Sequence, residues 1–402
     1  MAVSPEHEAL RAGLDAAMEA AGEWPARSPW IRRAAARLPR ELFAPDRLWA
    51  WDGDAYAAVE RAADPRGWAA RVYAGPGSAA LTRIVGGLPG SSMSAPAVVA
   101  DMLDALRLDP GHRVLELGTG TGWNAALLAY RAGAGRVVSV EVDPELAATA
   151  RERLAAAPCP DVTVVVADGA AGCPGRGPYD RLIATYAVDT IPWAWVEQTR
   201  PGGRIVTPWG RMGHVALTVA DDGRSASGRV RGLSTFMPAR DRLPATGLAW
   251  NRVRGTDPAR LTRPFARDTE PLRDDPHLLF ALRVALPDVQ VFTRSGGRAV
   301  TVGLHDGRSS WAVLDGGSGT AFVGGPRDLD EELTHAWDHW TRHDEPAFHD
   351  FGMTVTPHRQ YVWRGDTGNG PYHPAADARR DTGSVAVTAH DGGVPFAQLD
   401  AQ

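Results

Sequence analysis

The sequence predicts an α/β protein: a mostly parallel, doubly wound sheet followed by a smaller C-terminal α+β domain. Three observations support this. From Pro96 to Pro208 short apolar runs alternate with amphipathic stretches, the order that lays parallel strands beneath helices on both faces of a sheet. One apolar run ends in a loop with glycine at every second position, 118, 120 and 122. Beyond residue 265 the pattern changes to short strands separated by Gly-rich turns. At 402 residues the chain also exceeds what one hydrophobic core usually organises, and its 44% apolar content suffices for more than one.

Taken in order, residues 5–22 carry Leu10, Leu14, Ala17 and Met18 at helical spacing before a stop at Gly22. A second helix is expected from Ser28-Pro29, with Ser as cap and Pro in the first turn, to Leu38-Pro39. Residues 44–90, rich in Pro, Gly and aromatics, read as an irregular cover with one candidate strand near 71–74. Helices are then expected at 95–107, 123–132, 144–156 and 192–199, and strands at 113–117, 137–142, 162–166, 181–185 and 204–207. Two further strands, 215–220 and 228–233, are joined by the turn Asp221-Asp222-Gly223. Residues 239–265, Pro- and Arg-rich, read as a linker after a first domain of 1–238. A second domain, 266–364, is expected to hold a meander of strands at 289–293, 299–304 and 310–314, a helix at 328–342 and a hairpin across 353–363. Residues 365–402 have no period and read as a poorly ordered tail.

Composition narrows the function classes. The formal charge of −5 argues against a general nucleic-acid binder, and every one of the 43 basic residues is Arg. The cluster Arg32, Arg33, Arg37 and Arg40 reads as a solvated helix face, with a grip on an anionic partner as the alternative. No run approaches the roughly 20 apolar residues of a membrane helix, and no signal peptide is visible, so a soluble cytoplasmic protein is expected. Cys159 and Cys173 are too few for a disulfide framework and lack metal-ligand spacing. His335, His339 and His343 lie at helical spacing, but opposite the apolar residues Leu329, Leu333, Ala336, Trp337 and Trp340, so they read as a solvated face; no metal is expected.

The most informative segment is Val114-Leu115-Glu116-Leu117-Gly118-Thr119-Gly120-Thr121-Gly122. A buried strand ends in an acid, and three glycines lead into a helix where backbone can approach a ligand closely. The spacing differs from the G-x-G-x-x-G of a dinucleotide pyrophosphate site. An acid at Glu116 suits a cationic ligand, and S-adenosylmethionine carries an ammonium and a sulfonium. Glu141 closes the next strand, placed to accept from ribose hydroxyls. Ala167-Asp168-Gly169 follows the third, where an adenine amino group could be read. The expected cofactor set is Glu116, Gly118, Thr119, Gly120, Gly122, Glu141, Val142, Asp168 and Gly169. Just upstream, Gly90-Ser91-Ser92-Met93-Ser94-Ala95-Pro96 opens a helix. Ser94 is a good N-cap there; three hydroxyls at a helix N-terminus also make an anion site, and both readings stand.

These motifs are collinear with those of the protein-L-isoaspartate O-methyltransferases. S-M-S-A-P, V-L-E-L-G-T-G-T-G-W, V-S-V-E, V-A-D-G, A-G-x-P-x-x-G-P-Y-D and I-P-W-A-W-V-E-Q-T-R-P-G-G-R-I-V-T-P-W resemble that family over roughly residues 28–235. The resemblance implies a Rossmann-like class I methyltransferase using S-adenosylmethionine, with Ser94, supported by Ser92, holding a substrate carboxyl. A carboxylate is already ionised at neutral pH and needs no general base, which accords with the lack of a catalytic His or Cys near the motifs.

The chain departs from a minimal repair enzyme in three places: roughly 150 residues follow the catalytic motifs, extra sequence lies between Phe43 and Gly90, and Tyr186 stands where the family usually has a small residue. This combination resembles a branch that methylates an ordinary Asp of a cyclised, ribosomally made precursor peptide, the ester closing to an aspartimide. General isoaspartyl repair is the alternative, and a cofactor-binding regulator without catalysis a third. The C-terminal domain then reads either as a peptide-recognition surface, with Trp311 and Trp363, or as a packing module.

Overall fold

A computed structural model describes residues 5–210, 212–239, 250–296, 299–370 and 372. The chain forms two compact units: residues 1–237 with 352–361, and residues 238–351 with 362–402. The first unit opens with helices α1 (Pro5–Ala20) and α2 (Trp30–Arg37). The sequence placed Ser28 as the cap of α2; the N-cap is Pro29, and the Ser28 hydroxyl instead donates to Asp104 at 2.7 Å.

The region expected to be irregular is an antiparallel sheet. Strands β1 (Arg47–Trp51), β2 (Tyr56–Glu60), β3 (Ala80–Val85) and β4 (Leu88–Met93) lie in the order β2-β1-β3-β4. Between them runs α3 (Pro65–Val72), whose last turn takes the place of the strand expected near 71–74. Asp64 caps α3 by accepting from the Gly67 N–H at 2.8 Å, and Trp68 and Ala69 are fully buried on its inner side.

The central sheet starts with β5 (Val114–Leu117), β6 (Val137–Glu141), β7 (Val162–Val166), β8 (Tyr179–Ala184) and β9 (Thr199–Trp209). These five are parallel, paired β9-β8-β5-β6-β7. β10 (Gly213–Val219) and β11 (Ala226–Gly232) extend the sheet antiparallel beyond β9. All residues of β5 and β6 are buried, so both faces are covered and the strands read as apolar runs. Helices α4 (Pro96–Leu106), α5 (Trp123–Ala132), α6 (Pro144–Ala156) and α7 (Trp193–Glu197) pack against these strands. The order reverses at β5, flanked by β6 on one side and β8 on the other; such a switch point opens a crevice beyond the strand ends.

The second unit contains α8 (Trp250–Arg254), β12 (Leu261–Pro264), α9 (Pro271–Asp274), α10 (Pro276–Ala285), β13 (Gln290–Gly296), β14 (Ala299–His305), β15 (Trp311–Asp315), β16 (Thr320–Gly324) and α11 (Leu329–Arg342). Its five strands pair in the order β12-β16-β15-β14-β13, every pairing antiparallel. The supposed linker thus supplies an edge strand: Leu261 pairs with Val323. Trp250, Val253, Trp311 and Val313 form a core cluster, with the Arg254 guanidinium 3.9 Å from the Trp311 ring centroid.

Two expectations about the C-terminal half need correction. The histidine face of α11 is not solvated throughout, because α11 packs against α10 as well as β14, β15 and β16. His339 is only 7% exposed; its ring stacks on His343 with centroids 4.1 Å apart, and the Tyr372 hydroxyl lies 3.2 Å from its Nδ1. The hairpin across 353–363 forms as β17 (Phe351–Val355) and β18 (Gln360–Arg364), but it prolongs the central sheet. Ala226 of β11 pairs with Val355, and Ser227 with Thr354. The tail expected at 365–402 lies, beyond residue 372, outside the described residues.

Candidate active site

The glycine loop leaves β5 with all three glycines at positive φ: 94° at Gly118, 54° at Gly120 and 91° at Gly122. Side chains at such angles are strained, so the alternate glycines are a backbone requirement. Nothing stands within 4 Å of the place a Gly120 Cβ would occupy, leaving space beside the loop. A Gly118 Cβ would instead meet Thr185 Oγ1 at 2.4 Å and the Tyr186 ring at 3.0 Å.

Glu116 lies beneath this loop rather than on its rim. It is fully buried, accepting from Asn124 Nδ2 at 2.8 Å and from the Ser139 hydroxyl. The Thr119 hydroxyl joins the same cluster, 2.6 Å from Ser139 Oγ. Burial pushes the Glu116 carboxyl up to about 7, opposed by the hydrogen bonds from Ser139 and Asn124 and assisted by the nearby charge of Glu141. It thereby links β6, through Ser139, to the start of α5, through Asn124.

Glu141, at the end of β6, accepts from the Gly120 N–H at 2.9 Å and from the Asp143 N–H at 3.2 Å. Val142 follows it, 50% exposed, beside Val166 at the end of β7, which is 44% exposed and paired with Glu141. Two apolar side chains open at adjacent strand ends suit the flat face of an adenine. Asp168 is exposed and caps a short turn by accepting from the Ala170 N–H at 2.8 Å. Gly169 is buried: its carbonyl accepts from Trp195 Nε1 at 2.8 Å, and a Cβ there would meet the Tyr186 hydroxyl at 2.3 Å. Tyr186 consequently fills the space between the glycine loop and the Asp168 turn, edge-on to Trp195.

Ser94 does not cap α4. The N-cap is Ala95, no side chain caps that first turn, and Pro96 occupies its first position. Ser94 lines a pocket with Asn124 and Thr185, whose remaining walls are Val98, Val99, Met102, Ile183 and Phe236. Asn124 is also the partner of Glu116, and the Thr185 hydroxyl donates to the Gly118 carbonyl at 2.6 Å. The pocket therefore shares its polar residues with the glycine loop. Ser92, two residues earlier on β4, is partly exposed and pairs in register with Leu81. Asn124 and Thr185 were missed from sequence: each is a single polar residue beside a stronger signal, without a spacing of its own.

The residues present fit a ligand with a charged amino-acid end and a flat adenosine end: a loop with open space, a strand-end acid and an apolar step lie in sequence along one sheet edge. Among the described residues no three His, Cys, Asp or Glu side chains group to hold a metal ion, and no helix is long and apolar enough to cross a membrane.

A parallel sheet reversing at β5, a positive-φ glycine loop at the reversal and an acid closing the neighbouring strand define a class I S-adenosylmethionine-dependent methyltransferase. The family model of protein-L-isoaspartate(D-aspartate) O-methyltransferase matches residues 79–243. The chain is 38% identical over 193 residues to the protein-L-isoaspartate O-methyltransferase of Hyperthermus butylicus, spanning 46% of this chain and 69% of that one. It is 37% identical to that of Ignicoccus hospitalis, over 44% of this chain and 72% of the relative. A solved Plasmodium falciparum protein described as a putative protein-L-isoaspartate O-methyltransferase, in complex with S-adenosyl-L-homocysteine, is 13% identical with a TM-score of 0.42, covering 60% of this chain and 100% of that one. The chain belongs to the protein-L-isoaspartate O-methyltransferase family.

Proposed function

We propose that this protein transfers a methyl group from S-adenosylmethionine to an aspartyl-derived carboxylate of a peptide or protein, an isoaspartyl residue in the first instance. The observation that carries this reading is the Ser94 hydroxyl, which caps nothing and lines a pocket sharing Asn124 and Thr185 with the glycine loop. S-adenosylmethionine supplies an electrophilic methyl on its sulfonium. Gly118, Thr119, Gly120 and Gly122 would bind its amino-acid end, with Glu116 fixing the loop from below. Glu141 would accept from the ribose hydroxyls, while Val142, Asp168 and Gly169 would surround the adenine. Ser94, with Ser92 beside it, would donate to the substrate carboxylate at the N-terminus of α4, where the helix dipole favours an anion although the Ala97 N–H is already taken by the Pro76 carbonyl at 3.0 Å. No proton needs to be removed from such a group at neutral pH, so alignment and exclusion of water carry the rate. The apolar walls from Val98, Val99, Met102, Ile183 and Phe236 serve that exclusion.

A narrower reading has two observations in its favour: the second unit, beyond the family match, and Tyr186 against the cofactor loop. On it, the substrate is an ordinary Asp in a constrained, ribosomally made peptide, and the methyl ester closes on a backbone amide to an aspartimide. The names of the relatives favour isoaspartyl substrates. Mass spectrometry of methyl transfer to an isoaspartyl peptide, its Asp counterpart and a cyclised Asp peptide separates the readings. Methylation of the isoaspartyl peptide alone is the result expected from the first; methylation of the cyclised Asp peptide followed by loss of methanol would replace it with the second. Transfer to none of the three would overturn both.

A further inference from the structure

Arg40 is 2% exposed, in a short turn before β1. Its guanidinium donates from Nη1 to the Ser94 carbonyl at 2.9 Å, from Nη2 to the Met93 carbonyl at 3.5 Å and from Nε to the Val72 carbonyl at 3.0 Å. It lies 4.7 Å from the ring centroid of Trp123, the residue following Gly122 of the glycine loop. Trp123 is itself anchored, donating from Nε1 to the Leu38 carbonyl at 2.8 Å. The neighbouring acid, Glu41, is committed elsewhere, to Arg11 and the Tyr73 hydroxyl. Among the described residues all three acceptors of Arg40 are thus neutral carbonyls, and two of them belong to the segment that carries the substrate serine.

A buried charge satisfied only by dipoles is costly, and a carboxylate nearby would relieve it. Burial depresses the Arg40 guanidinium, to about 9, with no carboxylate among the described residues acting to raise it. An arginine serving only as a strut would be cheaper with an acid beside it.

We propose that Arg40 is the positioning residue of the carboxylate site: it fixes residues 93–94 against Trp123, the first residue of α5 after the cofactor loop, and sets a positive charge behind Ser94, favouring an anionic group at the serine. This inference rests on the carboxylate reading above and adds to it the residue that ties the substrate serine to the cofactor loop. Arg40 does not touch the substrate; it acts through Ser94. It was legible in the sequence only as a member of a cluster, whereas Arg32 of the same cluster pairs on the surface with Asp15 and Glu19.

Calorimetry of isoaspartyl-peptide binding to the full chain, saturated with S-adenosylhomocysteine, tests this without turnover. The proteins to compare are wild type, Arg40→Met, Arg40→Lys, Ser94→Ala and the Arg40→Met/Ser94→Ala double variant, each with its melting temperature. Arg40→Met is expected to weaken peptide binding about tenfold. Arg40→Lys, which keeps the charge but not the three-way fork, is expected to lose about threefold and stands in if the methionine variant does not fold. The double variant is expected to bind no more weakly than Ser94→Ala, since both changes remove one interaction. Wild-type affinity in Arg40→Met, or in Arg40→Lys where only that variant folds, would overturn the proposal, as would additive losses in the double variant. If wild type binds neither the isoaspartyl peptide nor the cyclised Asp peptide, the carboxylate reading falls and this proposal with it; if it binds only the latter, the same comparison is made with that peptide.

Discussion

Glu116 illustrates what one residue's environment adds to its identity. The sequence marks it as an acid beside a glycine loop; only the structure reveals that it is fully buried and accepts from both Asn124 and Ser139. Its carboxyl is raised from an ordinary 4.5 to about 7, so the folded protein holds this proton more tightly than the unfolded chain. Stability from this group is therefore greatest below pH 4.5 and is lost as the pH rises to about 7, by on the order of 3 kcal/mol. Glu116→Gln, which keeps the shape and removes the titration, is expected to flatten the fall in melting temperature across that window. Melting curves from pH 4.5 to 8 on both proteins check this; parallel profiles would mean that Glu116 does not titrate there. Ser94 carries the opposite lesson. Its position before a Pro-headed helix reads as a cap, but Ala95 takes that place because the chain enters α4 one residue later.

At the scale of elements, the parallel strands were legible because strands covered on both faces must be apolar throughout: Val114–Leu117 and Val137–Glu141 are buried at every residue. The antiparallel strands β1 and β2 were not: β1 alternates in burial but carries Trp at its outward positions 49 and 51, which hides the period, and no residue of β2 is buried. Arg71, Val72 and Tyr73 look like a strand by composition, yet the helical register of Trp68, Ala69 and Val72 puts all three in the core as the end of α3. Helix α10 was missed altogether, although Asp275-Pro276 is a start signal of the kind used elsewhere in the chain. Helix α6 offers a test at this scale. Asp143 accepts from the N–H groups of Glu145 and Leu146 at 2.9 and 3.1 Å and also pairs with Arg83 of β3. Asp143→Ala is expected to cost about 1–2 kcal/mol in urea denaturation, and Asp143→Asn, which keeps the cap, well under half of that. Equal losses would assign the effect to the ion pair instead.

For the whole molecule, the sequence separated a catalytic part from a later addition but drew the border as a single cut. The border is crossed three times: residues 352–361 belong with the first unit, where β17 continues the sheet from β11. The hairpin looked like part of the second domain because periodicity identifies a strand without naming its partner. A chain ending at residue 237 would keep every cofactor residue but leave β11 as an unpaired edge. It is expected to melt several degrees lower than the full chain and to associate in a concentration-dependent way, as seen by light scattering. A monomer with unchanged melting temperature would show that β17 and β18 are dispensable to the sheet.

That interleaving has a consequence for how the protein is made. The glycine loop, the strand-end acid and Ser94 all leave the ribosome before residue 170, whereas the strand that covers β11 begins at Phe351. At roughly 5–20 residues per second, the 124 residues between 237 and 361 take on the order of ten seconds to synthesise. For that interval a nascent chain carries a nearly finished catalytic sheet with one raw edge, tethered to a second unit still being added. Completion of the catalytic sheet is thereby deferred until the hairpin of β17 and β18 has been made, and a message truncated before it leaves that sheet unfinished.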